Sequence, residues 1–314
     1  MAANDSAPKT DTASKTYFDY VSAALPDEIC AKTGCDPKDN AMTENVNRFF
    51  KKFNFTDVIL FQKGNQNQKG NQNQKGNQSG KTGQNDQNGA FQNLLNPTLF
   101  NPNFDPALSE NGRPIRYLKG TEIEADNENE LYSLIKKERP NTDFLTVRSA
   151  DEKIIRAAAE SPDTDAVIPI SNNPQKPAAG RINHIVAKIA ADKKTAFAFD
   201  IAPFLFVKGY RRSKLFAEAA EMVQILQEYN VPTLLFSGAG TLFEQRGPYE
   251  LEAFGQLLGL TQEETTAAVS TLPGEILKRR QKQKSGVQIM AGAEIMTDAE
   301  IMTDAEILNE NGDI

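Results

Sequence analysis

Apolar residues along this chain fall into short continuous runs, separated by longer stretches in which they recur every three or four positions. Tyr17 to Ala23, Asp57 to Phe61, Tyr117 to Glu124, Phe144 to Arg148, Ala166 to Ile170, Thr195 to Ile201 and Thr233 to Ser237 have strand length and strand composition. Between them the pattern predicts helices at Asn45 to Phe53, Glu128 to Lys137, Asp151 to Ala159, Ile182 to Ala191 and Arg212 to Tyr229. Three more follow at 249–258, 262–270 and 274–283, and Asp151 is placed to cap its helix or to sit in its first turn. Strands alternating with amphipathic helices imply a parallel sheet joined by right-handed crossovers. Seven strands are countable and no eighth follows Ser237. Length and spacing approach the usual barrel of about 250 residues, so the expected fold is a TIM-barrel-like (β/α) barrel of about seven parallel strands with outer helices. Ligands of such barrels bind at the C-terminal ends of the strands.

Two segments break the alternation, each with a period of six. Lys63 to Gln68 repeats at Lys69 to Gln74 and decays from Lys75 onward; Ala293 to Asp298 repeats at Ala299 to Asp304 and then at Ala305. Six residues are too few for a solenoid unit. The first tract has no apolar residue with which to form a core. The expected organisation is therefore a disordered N-terminus (1–15), one barrel domain (16–284) interrupted by a low-complexity insert (63–112), and a disordered acidic tail (285–314). Gly76-Asn-Gln-Ser-Gly80-Lys81-Thr82 lies inside the insert. It has three residues between its glycines where a P-loop has four, with no strand before it and no helix after it, so it reads as repeat rather than as phosphate site.

Composition narrows the chemistry. The chain has 314 residues, 1 His, 2 Cys and no Trp. One histidine excludes sites built on two or more His ligands. Cys30 and Cys35 form a single C-x4-C pair, which completes neither a zinc site nor a disulfide framework, so free thiols in a reducing compartment are expected. No apolar run approaches the roughly 20 residues that span a bilayer, and Met1 to Lys15 lacks the apolar core of a secretory signal. The reading is a soluble, cytoplasmic protein without a membrane partner.

Taken as a total, the formal charge of −7 argues against nucleic acid, but its distribution reverses that. Residues 285–314 contain seven acids and no base, so residues 1–284 sum to zero. Residues 176–214 carry nine bases against two acids, with Phe204, Phe206 and Tyr210 interleaved, and Lys278 to Lys284 holds five bases in seven residues. Such clusters are either the footprint of phosphate binding or solvated helix faces. The other candidates are weaker. Asp19, Asp57, Glu124, Asp200 and Glu244 could hold Mg²⁺ near strand ends, or cap and form ion pairs. Ser237-Gly-Ala-Gly240-Thr241 could offer N–H groups to phosphate, or serve as the tight turn that a barrel needs. His184, on a strongly periodic helix without a Ser or Cys elbow, reads as structural or as a contact rather than as a catalyst.

From Ile182 onward the chain resembles the archaeal ribonuclease P protein component 3 family, counterpart of a thirty-kilodalton human subunit. The stretches that carry the resemblance are Ile182 to Asp192, Ala198 to Phe204, Gly209-Tyr-Arg-Arg-Ser, Phe216 to Tyr229, Val231 to Ala239, Arg246-Gly-Pro-Tyr-Glu250 and Leu257 to Leu260. Tyr17-Phe-Asp-Tyr-Val and Phe55 to Leu60 match the family's opening strands more loosely. The resemblance implies a barrel related to the PHP phosphoesterases but without their metal site. After Asp19, where those enzymes carry His-x-His, this chain has Val21, Ser22 and Ala23. It further implies assembly with a catalytic RNA and other protein subunits. The RNA, using Mg²⁺, removes the 5′ leader of precursor tRNA, and the tRNA is an indirect partner. On this reading the chain binds no cofactor and has no catalytic residue. The residues expected to contact RNA are Arg148, Lys153, Arg181, Lys188, Lys208, Arg211, Arg212, Lys278, Arg279 and Arg280, through phosphate and shape rather than base edges. The rival readings are a stand-alone PHP-like phosphoesterase using carboxylate-bound metal, and a plain interaction scaffold with no RNA requirement.

Overall fold

The short apolar runs form seven strands in a computed structural model that describes residues 16–22, 25–33, 40–53, 55–63, 115–171, 178–284, 288–290 and 293–294. The repeat insert, the P-loop-like segment, Cys35 and most of the acidic tail lie outside the described residues. The chain forms two compact units, Met1–Gly274 and Glu275–Ile314.

In the first unit the element order is β1 (Phe18–Ser22), α1 (Leu25–Thr33), α2 (Asn40–Lys52), β2 (Asp57–Lys63), β3 (Arg116–Ile123), α3 (Glu128–Glu138), β4 (Phe144–Arg148), α4 (Glu152–Glu160) and β5 (Ala166–Ile168). It continues with α5 (His184–Lys193), β6 (Ala196–Asp200), α6 (Ala202–Phe206), α7 (Tyr210–Glu228), β7 (Thr233–Phe236), α8 (Pro248–Leu257) and α9 (Gln262–Val269). A last helix, α10 (Thr271–Lys284), runs across the boundary between the units. In the second unit β8 (Gln288–Met290) and β9 (Ala293–Glu294) pair antiparallel, where the sequence suggested no regular structure.

The seven strands are all parallel and lie in sequence order, each paired with the next. Closure is nearly complete. Just beyond β7, the N–H of Gly238 donates to Tyr20 O (3.0 Å), and the N–H of Ser22 donates to Ala239 O (2.8 Å). The expected (β/α) barrel of seven strands is therefore what forms.

Period-2 alternation sorts each strand into an inner and an outer set. The inner set is recognised by contacts across the barrel. Tyr20 on β1 stacks on Phe61 (centroids 4.4 Å apart) and meets Phe236 of β7 (5.4 Å), and its hydroxyl pairs with Thr146 of β4. Phe144 of β4 meets Phe236 edge-on. The middle of the barrel is thus a plug of aromatic rings, and Gly120 is required beside it: a Cβ there would lie 2.8 Å from Ile59 Cγ2. The outer set, including Val58, Leu60, Ile123, Leu145, Val147, Val167, Phe197, Phe199 and Leu235, packs against the helices in one continuous core.

Two helices were not predicted. In α1 the segment Leu25-Pro-Asp-Glu-Ile-Cys-Ala-Lys-Thr is weakly amphipathic, and α6 is a five-residue apolar run, Ala-Pro-Phe-Leu-Phe, too short for a period of 3.6 to declare itself. The predicted fifth strand is shorter than expected. It ends at Ile168 before Pro169, and Ile170 forms an isolated antiparallel bridge with Ala179.

Candidate nucleic-acid interface

The inner set changes character at the C-terminal ends of the strands, the ligand end of such barrels. There β3, β4 and β6 bring Glu122, Arg148 and Asp200 together, all fully buried. Arg148 Nε donates to Glu122 Oε2 (3.0 Å), Nη2 reaches Asp200 Oδ2 (2.8 Å) and Glu122 Oε2 (2.9 Å), and Nη1 donates to Ile170 O (3.0 Å). Burial works against the Arg148 charge, but Asp200 and Glu122 together outweigh it and raise its pKa. Burial also raises the Glu122 pKa, against the pull of Arg148. Arg148 was expected to contact RNA. That expectation is corrected: its guanidinium is sealed inside the barrel and its donors are engaged by the chain itself. Glu122 is not among the sequence candidates; it lies one residue before the end of β3, while Arg148 and Asp200 end β4 and β6, and their shared inner phase emerges only from the contacts across the barrel.

The loop after β7 is also accounted for locally. Gly238 adopts φ +62°, and a Cβ there would lie 2.6 Å from Asp200, so glycine is needed where the chain folds over the triad. The N–H of Gly240 donates to Glu244 Oε2 (2.7 Å) and the Thr241 hydroxyl to Glu244 Oε1 (2.8 Å). An internal carboxylate occupies the donors that a phosphate would need, so the tight-turn reading of this loop fits.

The remaining metal-ligand candidates are scattered among separate partners. Asp19 is fully buried at the barrel seam, accepting from Ser237 N (2.8 Å), Ser237 Oγ (2.7 Å), Tyr20 N (2.8 Å) and Gln245 Nε2. Burial pushes its carboxyl up to about 6 against the pull of those donors. Asp57 pairs with Arg116, and Glu124 with Lys63 at 3.0 Å. Among the described residues no group of three or more His, Cys, Asp and Glu side chains could hold a metal ion.

Outside the barrel the cations gather on one flank. Strands β4, β5 and β6 are neighbours, so α4, α5 and the α6–α7 pair that follow them begin side by side at the C-terminal end of the barrel. Asp151 caps α4 by accepting from Lys153 N (2.8 Å), and Asn183 caps α5 by accepting from Val186 N (3.0 Å). The two starts are tied by Asn183 Nδ2 donating to Glu152 Oε1 (3.0 Å). Lys153, Arg181, Lys208, Arg211, Arg212 and Lys214 lie in these first turns or just before them, all exposed; Lys188, Lys193 and Lys194 continue the basic surface along α5. Arg181, Lys188, Lys208 and Arg211 make no ion pair among the described residues. His184 is exposed in the first turn of α5.

Arg212 has a second task. Its Nε donates to Val207 O (2.7 Å) and its Nη2 to Leu205 O (3.3 Å), bracing the turn between α6 and α7. Of the interleaved aromatics, Phe204 is buried against Phe216 and Phe254, whereas Phe206 and Tyr210 are exposed.

In the second unit Lys278 is exposed and Arg279 half-buried. Arg280, also expected to contact RNA, is buried, with Nη1 donating to Gln283 Oε1 (2.7 Å), so this expectation too is corrected. Among the described residues no helix is long and apolar enough to cross a membrane.

The class these features define is a (β/α) barrel with an ion-paired mouth and a cationic flank. The chain belongs to the RNase P subunit p30 family, which matches residues 27–285. It is similar to ribonuclease P protein component 3 of Methanococcoides burtonii, at 31% identity over 182 residues (58% of this chain, 74% of the relative). The protein of that name from Methanosarcina mazei is 31% identical over 52% of this chain and 66% of the relative, and that from Haloarcula marismortui 26% identical over 54% and 70%. The barrel resembles a chain in a cryo-EM structure of archaeal ribonuclease P with mature tRNA, with a TM-score of 0.59, 16% identity, and coverage of 90% of this chain and 98% of that one.

Proposed function

We infer that this chain is a protein subunit of ribonuclease P. It supports the catalytic RNA that removes the 5′ leader from precursor tRNA, within a complex that includes other protein subunits. Family membership supports this reading, and one structural observation carries it: three consecutive β/α units begin side by side and bring exposed Lys153, Arg181, Lys208 and Arg211 to the same end of the barrel, with Asp151 and Glu152 engaged in capping and in the tie to Asn183. Helix N-termini add their own positive end potential there, which favours phosphate.

Phosphate contacts fall to Lys153, Arg181, Lys188, Lys208 and Arg211, with Lys214 beside them, and to Lys278 in the second unit. Arg212 contributes chiefly by bracing the turn that presents Arg211. No residue of this chain acts on the scissile phosphate; the Mg²⁺ of the reaction belongs to the RNA, and the complex works in the reducing cytoplasm. Fixed cations on an A-form backbone read shape and charge, as a folded RNA requires.

Binding to the cognate ribonuclease P RNA should fall steeply with salt, because each neutralised phosphate releases counterions. The double variant Lys208→Gln/Arg211→Gln should bind more weakly and lower the magnitude of the salt slope by about 1.5–2. A wild-type affinity that is weak and indifferent to salt would contradict the reading.

A further inference from the structure

Tyr210 is the most exposed large hydrophobic side chain of the described residues, at 82%. Among those residues it makes no hydrogen bond and no ring contact. An aromatic ring held in water forgoes the burial that usually stabilises it. Its backbone is firmly placed. Tyr210 opens the 19-residue helix α7 directly after Gly209, whose φ of +59° sets the turn. The N–H groups of Arg212 and Ser213 both donate to Gly209 O (3.0 and 3.2 Å). Arg212 ties the same turn to Val207 and Leu205, and Phe204 anchors α6 in the core against Phe216 and Phe254. Lys208 and Arg211 stand two residues before Tyr210 and one after it in the chain, exposed and without ion pairs among the described residues, and Phe206, 48% exposed, lies at the same junction.

We propose that Tyr210 is a stacking platform for an unpaired base of the bound RNA, with Lys208 and Arg211 holding the phosphates on either side of that nucleotide. This rests on the RNA-binding reading above and adds to it a preference for single-stranded elements. The surroundings select the partner. The centre of a protein interface is depleted of lysine, whereas this ring has the exposed Lys208 two residues before it, and Arg211, the next residue, is equally suited to phosphate. A continuous duplex covers the faces of its bases, so an isolated flat ring gains nothing from it. A loop or bulge exposes a base that an aromatic face can stack, with a cation beside it for the phosphate.

The test uses the full chain with two probes: a short single-stranded RNA carrying 2-aminopurine at its centre, and a blunt RNA duplex of the same length. Wild type should quench the 2-aminopurine fluorescence on binding. Tyr210→Ala should abolish the quenching and weaken single-strand binding about tenfold, the loss of one base stack, with the salt slope unchanged. Tyr210→Phe should retain both properties, and neither substitution should alter duplex binding. Undiminished quenching and affinity in Tyr210→Ala would overturn the proposal and point to a protein partner for this ring; an equal loss on both probes would also overturn it, showing a contribution to RNA binding that does not depend on an unpaired base. If the wild type binds neither RNA, the RNA-binding reading itself fails, a result separable from these by the unmodified chain alone.

Discussion

Arg148 illustrates why a charge at a strand end cannot be assigned from its identity alone. Its guanidinium sits between Glu122 and Asp200 where water is excluded, so the three residues stabilise the barrel only as a set. Arg148→Ala leaves two buried carboxylates uncompensated and should cost about 3–5 kcal/mol in denaturant unfolding, while surviving folded protein keeps the wild-type salt slope for RNA. Asp19 provides a pH test. Its native pKa of about 6 exceeds the ordinary 3.8, so the native state binds the proton more tightly than the unfolded chain. The stability of wild type relative to Asp19→Asn should therefore fall as pH rises from about 4 to about 6, by on the order of 3 kcal/mol, and stay level above. Thermal unfolding of both proteins across that range measures the difference. In sequence, Arg148 reads as one more base among many. The phase it shares with Phe144 and Thr146 places it inside, but only the cross-barrel contacts reveal which phase is inner.

Helices α4 and α5 connect element-scale order to the cationic flank. Their caps are side-chain oxygens, and Asn183 also holds Glu152, so one residue ties two helix starts, two positions after Arg181 in the chain. Asn183→Ala should cost about 1 kcal/mol in equilibrium unfolding and weaken RNA binding modestly through a less ordered Arg181. Most elements were legible because they are long or strictly periodic: β4 has the bounds expected from Phe144 to Arg148, and Asp151, expected to cap its helix or to sit in its first turn, caps it. Elements without periodicity were not. Five residues of α6 carry no helical signature, yet this helix and its turn set the direction of Tyr210. The glycine-rich loop after β7 was also ambiguous in sequence, because nothing there announces that Glu244 turns back to take the free donors.

For the whole molecule, the acidic total conceals two opposite populations of charge. The seven acids of residues 285–314 carry the entire net charge, while the barrel flank displays bases from three adjacent units. Parallel order explains how residues as distant in sequence as Lys153 and Arg211 reach one surface: successive strands are neighbours, and every helix starts at the same end. The seven-strand count was readable from alternation, and the barrel from alternation together with chain length and unit spacing. The flank was not, since the basic run Lys278 to Lys284 includes Arg280 and the residues expected to contact RNA include Arg148, both of which the fold buries. The central claim is that this chain assists a catalytic RNA rather than cutting the substrate itself. Cleavage of precursor tRNA by the cognate ribonuclease P RNA, with its other protein subunits present and Mg²⁺ limiting, tests it most directly. The account predicts that adding this chain restores cleavage and lowers the Mg²⁺ requirement, and that the chain without RNA cleaves nothing. Cleavage that is indifferent to the chain, or cleavage by the chain without RNA, would contradict it.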